Sequence, residues 1–449
     1  MLPVFRYAFL PLGIMVAQPS SAATLQDVIK QTLATHPEVS ASVNSRLSAD
    51  HDLRSAKGGY LPSINLNAGT GREETDTVST RASGGKKELQ RSESSITLQQ
   101  TLFDGFATSS EVGRQRATVN SRAYKVLNTS ENVALNAVQV YLDVLQRAEF
   151  VKLAQNNLAN HERIYDQIRL RSQQGVARLA DLEQAEARLA QARNNLLTEQ
   201  TNLDDAKTNY FSVTGSEPEN LTLPDMSILT MPASLAEARR VMLTNSPILK
   251  SAESDITATQ QQYEAAKSSY YPRVNVELDR TMNNNVDGTR GESNEWQAMV
   301  RMRYNLYQGG SNKANADAKA YQIKEAQDIR NNTLRQLSEE LRLAWTALNN
   351  ARQQIPIAAE YADRSMKVRT AYQKQFSIGE RTLLDLLDSE NELLTAQRRL
   401  VEIQFIERFT EYRIKARMGD LLRNLSIQSP TAGQSLDNVT ANVDLPSLN

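Results

Sequence analysis

The sequence predicts a mainly α protein with a smaller transmembrane β portion, in which long coiled-coil helices are joined to four strands. Three observations carry that class. Landmarks of the first half return in the second at an offset of 210 and then 204 residues. Four segments of about ten residues alternate apolar and polar side chains. Two helical stretches run about seventy residues each, and Leu and Ala recur at heptad spacing in the second of them and in the helix that follows the first.

The chain opens with Arg6, an apolar run at 7–17 and the small residues Ser20, Ser21, Ala22 and Ala23. That is the pattern of a secretory signal peptide over 1–23. Pro3, Pro11, Gly13 and Pro19 argue against a buried helix there. The first repeat is assigned to 24–215. Its opening helical pattern, 25–58, is interrupted at His36-Pro37, and the pattern at 235–267 is interrupted in the same way at Ser246-Pro247. Both end alike, in Tyr60-Leu61-Pro62 and Tyr270-Tyr271-Pro272.

Two hairpins follow, at 61–103 and 271–307. Ile64, Leu66 and Ala68 alternate with Asn65, Asn67 and Gly69, and Ile96, Leu98 and Leu102 alternate with polar neighbours. In the second hairpin Val274, Val276 and Leu278 alternate with Asn275, Glu277 and Asp279, and Ala298, Val300, Met302 and Tyr304 share one face. Such strands have the length of a tilted crossing of an outer-membrane-type bilayer. The offset changes between Pro62 and Phe103, so the length difference falls in an exposed connection, and 73–91 and 283–295 read as outward loops. Tyr60, Phe103, Phe106, Tyr270, Tyr271, Tyr304 and Tyr307 gather at one end of the strands, where an interfacial girdle against outer-membrane lipid belongs. Membrane barrels need about eight strands, so four imply a barrel shared between chains.

The long helical patterns run over 105–174 and 309–377, each about 100 Å at 1.5 Å per residue. Leu334, Leu337, Leu341, Ala344, Leu348, Ala351 and Ile355 form a seam in the second, and Pro356 is expected to kink it. Each pattern ends at a turn and a new helix begins at once. The first turn is Gly175-Val176-Ala177-Arg178, leading to Asp181. The second is Gly379-Glu380-Arg381, leading to Asp385 and Asp388. Asp385 and Asp388 share a helical face and repel each other, which suits a concentrated negative charge at a pore mouth. After the first turn Leu182, Leu189, Leu196, Leu203 and Tyr210 fall in successive heptads, with Ala185, Ala192 and Ala206 as companions. Residues 216–233, with Pro218, Pro224 and Pro232, read as a linker. The second repeat is assigned to 234–419, and 420–449 reads as a flexible tail.

Several function classes are excluded. The 51 Lys and Arg balance 52 Asp and Glu, which leaves no nucleic-acid footprint. The absence of Cys removes thiolate chemistry, Cys-ligated metal and a lipid-bearing N-terminal Cys. Mean hydropathy is −0.51, and no run after the N-terminus is apolar enough for a helical membrane span. His36, His51 and His161 have no second ligand at metal spacing, and no phosphate loop or nucleophile elbow is present. No catalytic residue, metal or cofactor is expected, and the chain does not read as an enzyme.

The ordered combination of signal peptide, paired halves, two hairpins, Leu/Ala helices and the Gly379-Glu380-Arg381-Thr382-Leu383-Leu384-Asp385-Leu386-Leu387-Asp388 turn resembles the TolC-like outer-membrane channel-tunnels of Gram-negative bacteria. The resemblance covers about 24–419. It implies a homotrimer in the outer membrane that extends into the periplasm, with a 12-stranded β-barrel continuous with a helical barrel. Asp385 and Asp388 would be the pore constriction, and Arg381 and Asp181 the latch of its closed state. The turns holding Gly175, Val176, Ala177, Arg178, Gly379 and Glu380 would meet a periplasmic adaptor (membrane fusion protein). An inner-membrane ABC transporter, or a proton-driven pump, would supply the energy. Phe376 and Ala180 depart from the best-known member, which has Tyr and Thr there, and this removes two hydrogen bonds of the closed iris. The run Arg178 to Leu189 looks like the type I protein secretion branch, which includes exporters of large adhesins. Multidrug efflux is the alternative duty. A soluble periplasmic coiled-coil structural or adaptor protein is the alternative of another class.

Overall fold

A computed structural model describes residues 24–441; the expected signal peptide at 1–23 and the last residues of the expected tail lie outside them. Thr24 caps α1 (Leu25–Thr35), its hydroxyl accepting from the Asp27 amide at 3.3 Å, and Ser234 caps α6 through the Glu237 amide at 3.2 Å. Proline at the first helical position then opens both α2 (Pro37–Gly58) and α7 (Pro247–Lys267), where its missing N–H costs nothing. Strands β1 (Ser63–Thr75) and β2 (Lys87–Phe103) follow α2, and β3 (Arg273–Asn284) and β4 (Glu292–Arg303) follow α7. The strands reach further outward than their alternation showed. The first connection also folds a short helix, α3 (Val78–Ala82), in the stretch that carries the extra length.

The strands form one antiparallel sheet in the order β1-β2-β3-β4. Its register sorts the side chains into rows. Ile64, Leu98, Leu278 and Ala298 stand in line across all four strands, and the next row is Asn65, Thr97, Asp279 and Gln297. One face is therefore apolar and nothing among the described residues covers it, so Trp296 is 71% exposed. The other face is polar and includes an ion pair from Arg301 to Glu277 at 2.8 Å. β1 and β4 are open edges.

The helices α4 (Ala107–Gln173) and α8 (Ser311–Ser377) have 67 residues each, and α8 continues through Pro356. α4 pairs with α5 (Leu179–Thr214), and α8 with α9 (Leu383–Arg417). The predicted seams are buried at Ala185, Leu189, Ala192, Ala206 and Tyr210, and at Leu334, Leu341, Ala344, Leu348 and Ala351. No helix among the described residues is long and apolar enough to cross a membrane.

Apolar contact is concentrated in separate clusters along this length. The largest joins Leu25 and Ile29 of α1, Val138 and Tyr141 of α4, Tyr210 of α5 and Tyr412 of α9. Each such side chain contributes about 1.5–3 kcal/mol on burial. The linker is pinned here, since Tyr141 Oη donates to the Thr222 carbonyl at 2.6 Å and accepts from its amide at 3.0 Å.

The expected flexible tail is corrected from 420 to 441. Leu421 and Leu422 of α10 (Leu421–Asn424), with Leu425 and Ile427, join the largest cluster. The buried Glu131 carboxylate accepts from the Leu421 and Leu422 amides at 3.1 and 3.3 Å. Further on, Asp437 bridges Arg116 at 2.6 Å and accepts from Asn120 at 2.9 Å. A Ser/Asn-rich composition reads as loose, but a few apolar residues among the polar ones are enough to dock it.

Candidate functional site

The two tip turns are built the same way. Gly175 and Gly379 have φ of 71° and 84°, the left-handed conformation in which a side chain would be strained. The Val176 amide donates to the Arg171 carbonyl at 2.9 Å, and the Glu380 amide to the Gln375 carbonyl at 2.9 Å. These bonds close each long helix and turn the chain straight into the next.

Around the second turn lies an apolar cluster of Ile164 and Ile168 from α4, Ala185 from α5, Phe376 from α8, and Leu383, Leu386 and Leu387 from α9. Phe376 thus lies inside the tip, under the Arg171 guanidinium at 5.1 Å from the ring centre. Without a hydroxyl, the ring packs as core.

The two carboxylates are held separately. Thr382 is the N-cap of α9, its hydroxyl accepting from the Asp385 amide at 3.2 Å and donating to the Asp385 carboxylate at 2.9 Å. Asp388, one turn on, accepts from Arg188 Nη2 of α5 at 3.0 Å. Each negative charge therefore has its own partner, which offsets the repulsion that their spacing creates.

Arg381 turns back on its own helix end. Its Nε donates to Gln375 Oε1 at 3.0 Å, its guanidinium lies 4.2 Å from the Tyr372 ring centre, and Asp385 is 3.7 Å away. Asp181 makes no side-chain hydrogen bond or ion pair among the described residues. Within one chain the two are not paired. Ala180 is exposed, as are Gly175, Val176, Arg178, Gly379 and Glu380, while Ala177 is half-buried.

Just above the turn is a polar node that the sequence did not reveal. Glu390 is 2% exposed, accepts from Arg369 Nε at 2.5 Å and from Asn160 Nδ2 at 2.9 Å, and so ties α8, α9 and α4 together. His161 is buried beside it, and burial lowers its pKa below the ordinary imidazole value. Higher still, Arg398 of α9 bridges buried Glu199 of α5 at 2.6 Å. Arg188 and Glu199 flank the Leu/Ala seam of α5, a position that marks them as cross-helix partners only once α9 is known to lie alongside.

At the other end, Phe103, Phe106 and Tyr271 pack edge to face with centroids 5.5–6.3 Å apart. Tyr60, Tyr270, Tyr304 and Tyr307 are exposed around them at the strand ends. No cluster of His, Asp and Glu among the described residues could hold a metal ion.

The sequence matches the family model of outer membrane efflux proteins over residues 28–216 and 239–405. It is 24% identical to the outer membrane efflux protein BepC of Brucella suis over 87% of this chain and 84% of that protein. It is 23% identical to the outer membrane protein TolC of Escherichia coli K12 over 90% and 83%, and 22% identical to the proteases secretion protein PrtF of Dickeya chrysanthemi over 86% and 86%. Among solved structures, the Campylobacter jejuni CmeC outer membrane channel superposes with a TM-score of 0.78 at 16% identity, covering 97% of this chain and 98% of that one.

Proposed function

The chain belongs to the outer membrane efflux protein family, and from that premise we propose that three copies form the outer-membrane exit duct of a tripartite export system. One observation carries this reading: a four-stranded sheet with an uncovered apolar face, a polar reverse face and two open edges. In lipid every backbone donor and acceptor needs a partner, so such a sheet is stable only when its edges are closed into a barrel. Three copies supply twelve strands, and the helices hang beneath them as a periplasmic tunnel about 100 Å long. A soluble coiled-coil protein would leave the apolar sheet face without a purpose.

The tip is the gate in this reading. Asp385 and Asp388 of three chains place six carboxylates at the constriction. Arg381 of one copy latches to Asp181 of the next, since neither pairs with the other inside a chain. An adaptor grips the exposed turns at 175–178 and 379–380, and an inner-membrane ABC transporter provides the energy. Type I protein secretion is the preferred duty, supported by the run from Arg178 to Leu189 and by the likeness to a protein named for protease secretion. Drug efflux is the second reading, favoured by the likeness to a protein named for efflux.

Deleting the gene distinguishes the duties: loss of a protein from the culture medium with unchanged drug tolerance supports secretion, and the reverse supports efflux. The constriction is tested in planar bilayers. Asp385→Ala with Asp388→Ala should abolish block by a trivalent cation; persistent block would remove the assignment. Arg381→Ala should raise the closed-state conductance, and an unchanged leak would remove the latch.

A further inference from the structure

We propose that Arg188 is a positioning residue of the gate, which holds the Asp388 carboxylate within its own chain and sets the effective charge of the constriction. The inference rests on Asp385 and Asp388 forming that constriction. Arg188 Nη2 lies 3.0 Å from Asp388 Oδ1, and Arg188 Nη1 donates to Gln191 Oε1 at 3.2 Å, so the guanidinium is held from both sides. The two residues sit on α5 and α9, which belong to different coiled-coil pairs. α5 and α9 meet at few places, and there the structure puts two ion pairs of opposite sense: Arg188 to Asp388, and Glu199 to Arg398.

The consequence is electrostatic. Asp385 is held by the neutral Thr382 hydroxyl at 2.9 Å, and its countercharge, Arg381 of the same turn, stands further off at 3.7 Å. Asp388 faces a full positive charge. A ring of six carboxylates thus acts on a passing cation as three charges loosely screened by Arg381 and three held close by Arg188 at 3.0 Å. Freeing Asp388 from Arg188 returns the second set to the pore, so any movement of α5 relative to α9 changes both the width of the gate and its charge.

The test uses the full-length trimer in planar bilayers and hexaamminecobalt(III), whose filled coordination shell restricts it to electrostatic binding. Arg188→Gln should tighten block about tenfold and shift the reversal potential toward cation selectivity, from three unmasked charges at the ring. Arg188→Lys should stay close to the native value. In an Asp388→Asn background the same Arg188→Gln change should have a much smaller effect, since the carboxylate it released is gone. Equal tightening in both backgrounds would make Arg188 a bystander and overturn the inference. Unchanged block in Arg188→Gln, with block abolished by Asp385→Ala and Asp388→Ala, would overturn it too and leave the constriction standing. If that double alanine variant still blocks, the constriction itself is wrong and this inference falls with it. Should Arg188→Gln not assemble, the swap Arg188→Asp with Asp388→Arg decides. A real pair keeps block near native, whereas an unpaired arginine at the ring abolishes it.

Discussion

The turns at Gly175 and Gly379 share a backbone and differ in nearly everything attached to it. The second is closed on itself: Leu383 is 5% exposed, Thr382 caps the new helix, and Phe376 packs beneath. At the matching places in the first stand Leu179, Arg178 and Ser172. Leu179 is 69% exposed, Arg178 provides no side-chain cap, and Val176 is 76% exposed. Glu390 lies buried under Arg369, while its counterpart Glu186 faces solvent. Duplication copied the path of the chain, and the side chains then divided the work. One turn is packed, capped and charge-carrying, and the other is an uncapped apolar projection.

This division can be broken at several points. The largest loss is expected from Glu390→Ala, which strands the half-buried Arg369 guanidinium and costs about 3 kcal/mol. Glu186→Ala should stay within about 0.5 kcal/mol. Chemical denaturation of the detergent-solubilised oligomer measures both, and equal effects would erase the distinction. Leu383→Ala should cost about 2–5 kcal/mol by opening a cavity in the tip cluster, whereas Leu179→Ala should be close to neutral for stability. Thr382→Ala removes a cap worth about 1 kcal/mol, while Arg178→Ser adds one of similar size to the first turn. Hydrogen exchange at the first amides of α5 and α9 would report these changes directly.

The halves also differ at their roots, where Glu131 of α4 corresponds to solvent-facing Arg335 of α8. Burial pushes the Glu131 carboxyl up to about 8, against the opposing pull of two backbone donors. The folded state then holds this proton more tightly than the unfolded chain, whose ordinary value is near 4.5. Tail docking should therefore be firmest below about pH 4.5, weaken as pH rises, and level off above about 8. Proteolytic release of 421–441 should quicken several-fold across that range. Glu131→Gln should flatten the profile.

Much of the architecture could be read in the sequence, because it is written in local periods. Strand alternation, heptads and the Pro37 and Pro247 helix starts all lie within a few residues of one another. The proposed gate was less legible. Asp385 and Asp388 stand out by proximity, but Arg188 lies 200 positions from its partner. A heptad pattern shows which face of α5 is buried, not which helix faces it. The Arg369–Glu390 node was hidden for the same reason, since charged residues on a helix normally read as solvated. The tail was misjudged because composition dominated, and four apolar residues were outweighed by their polar neighbours.

The open edges of β1 and β4 have a genetic consequence. In the proposed three-copy ring every seam is made by β1 of one chain and β4 of the next, so a single faulty edge opens the whole ring. A β4 edge disrupted by Val300→Pro would poison native copies made beside it, leaving about one ring in eight intact at equal expression. A single defective allele should then be dominant, the signature of a protein whose smallest functional part is the ring.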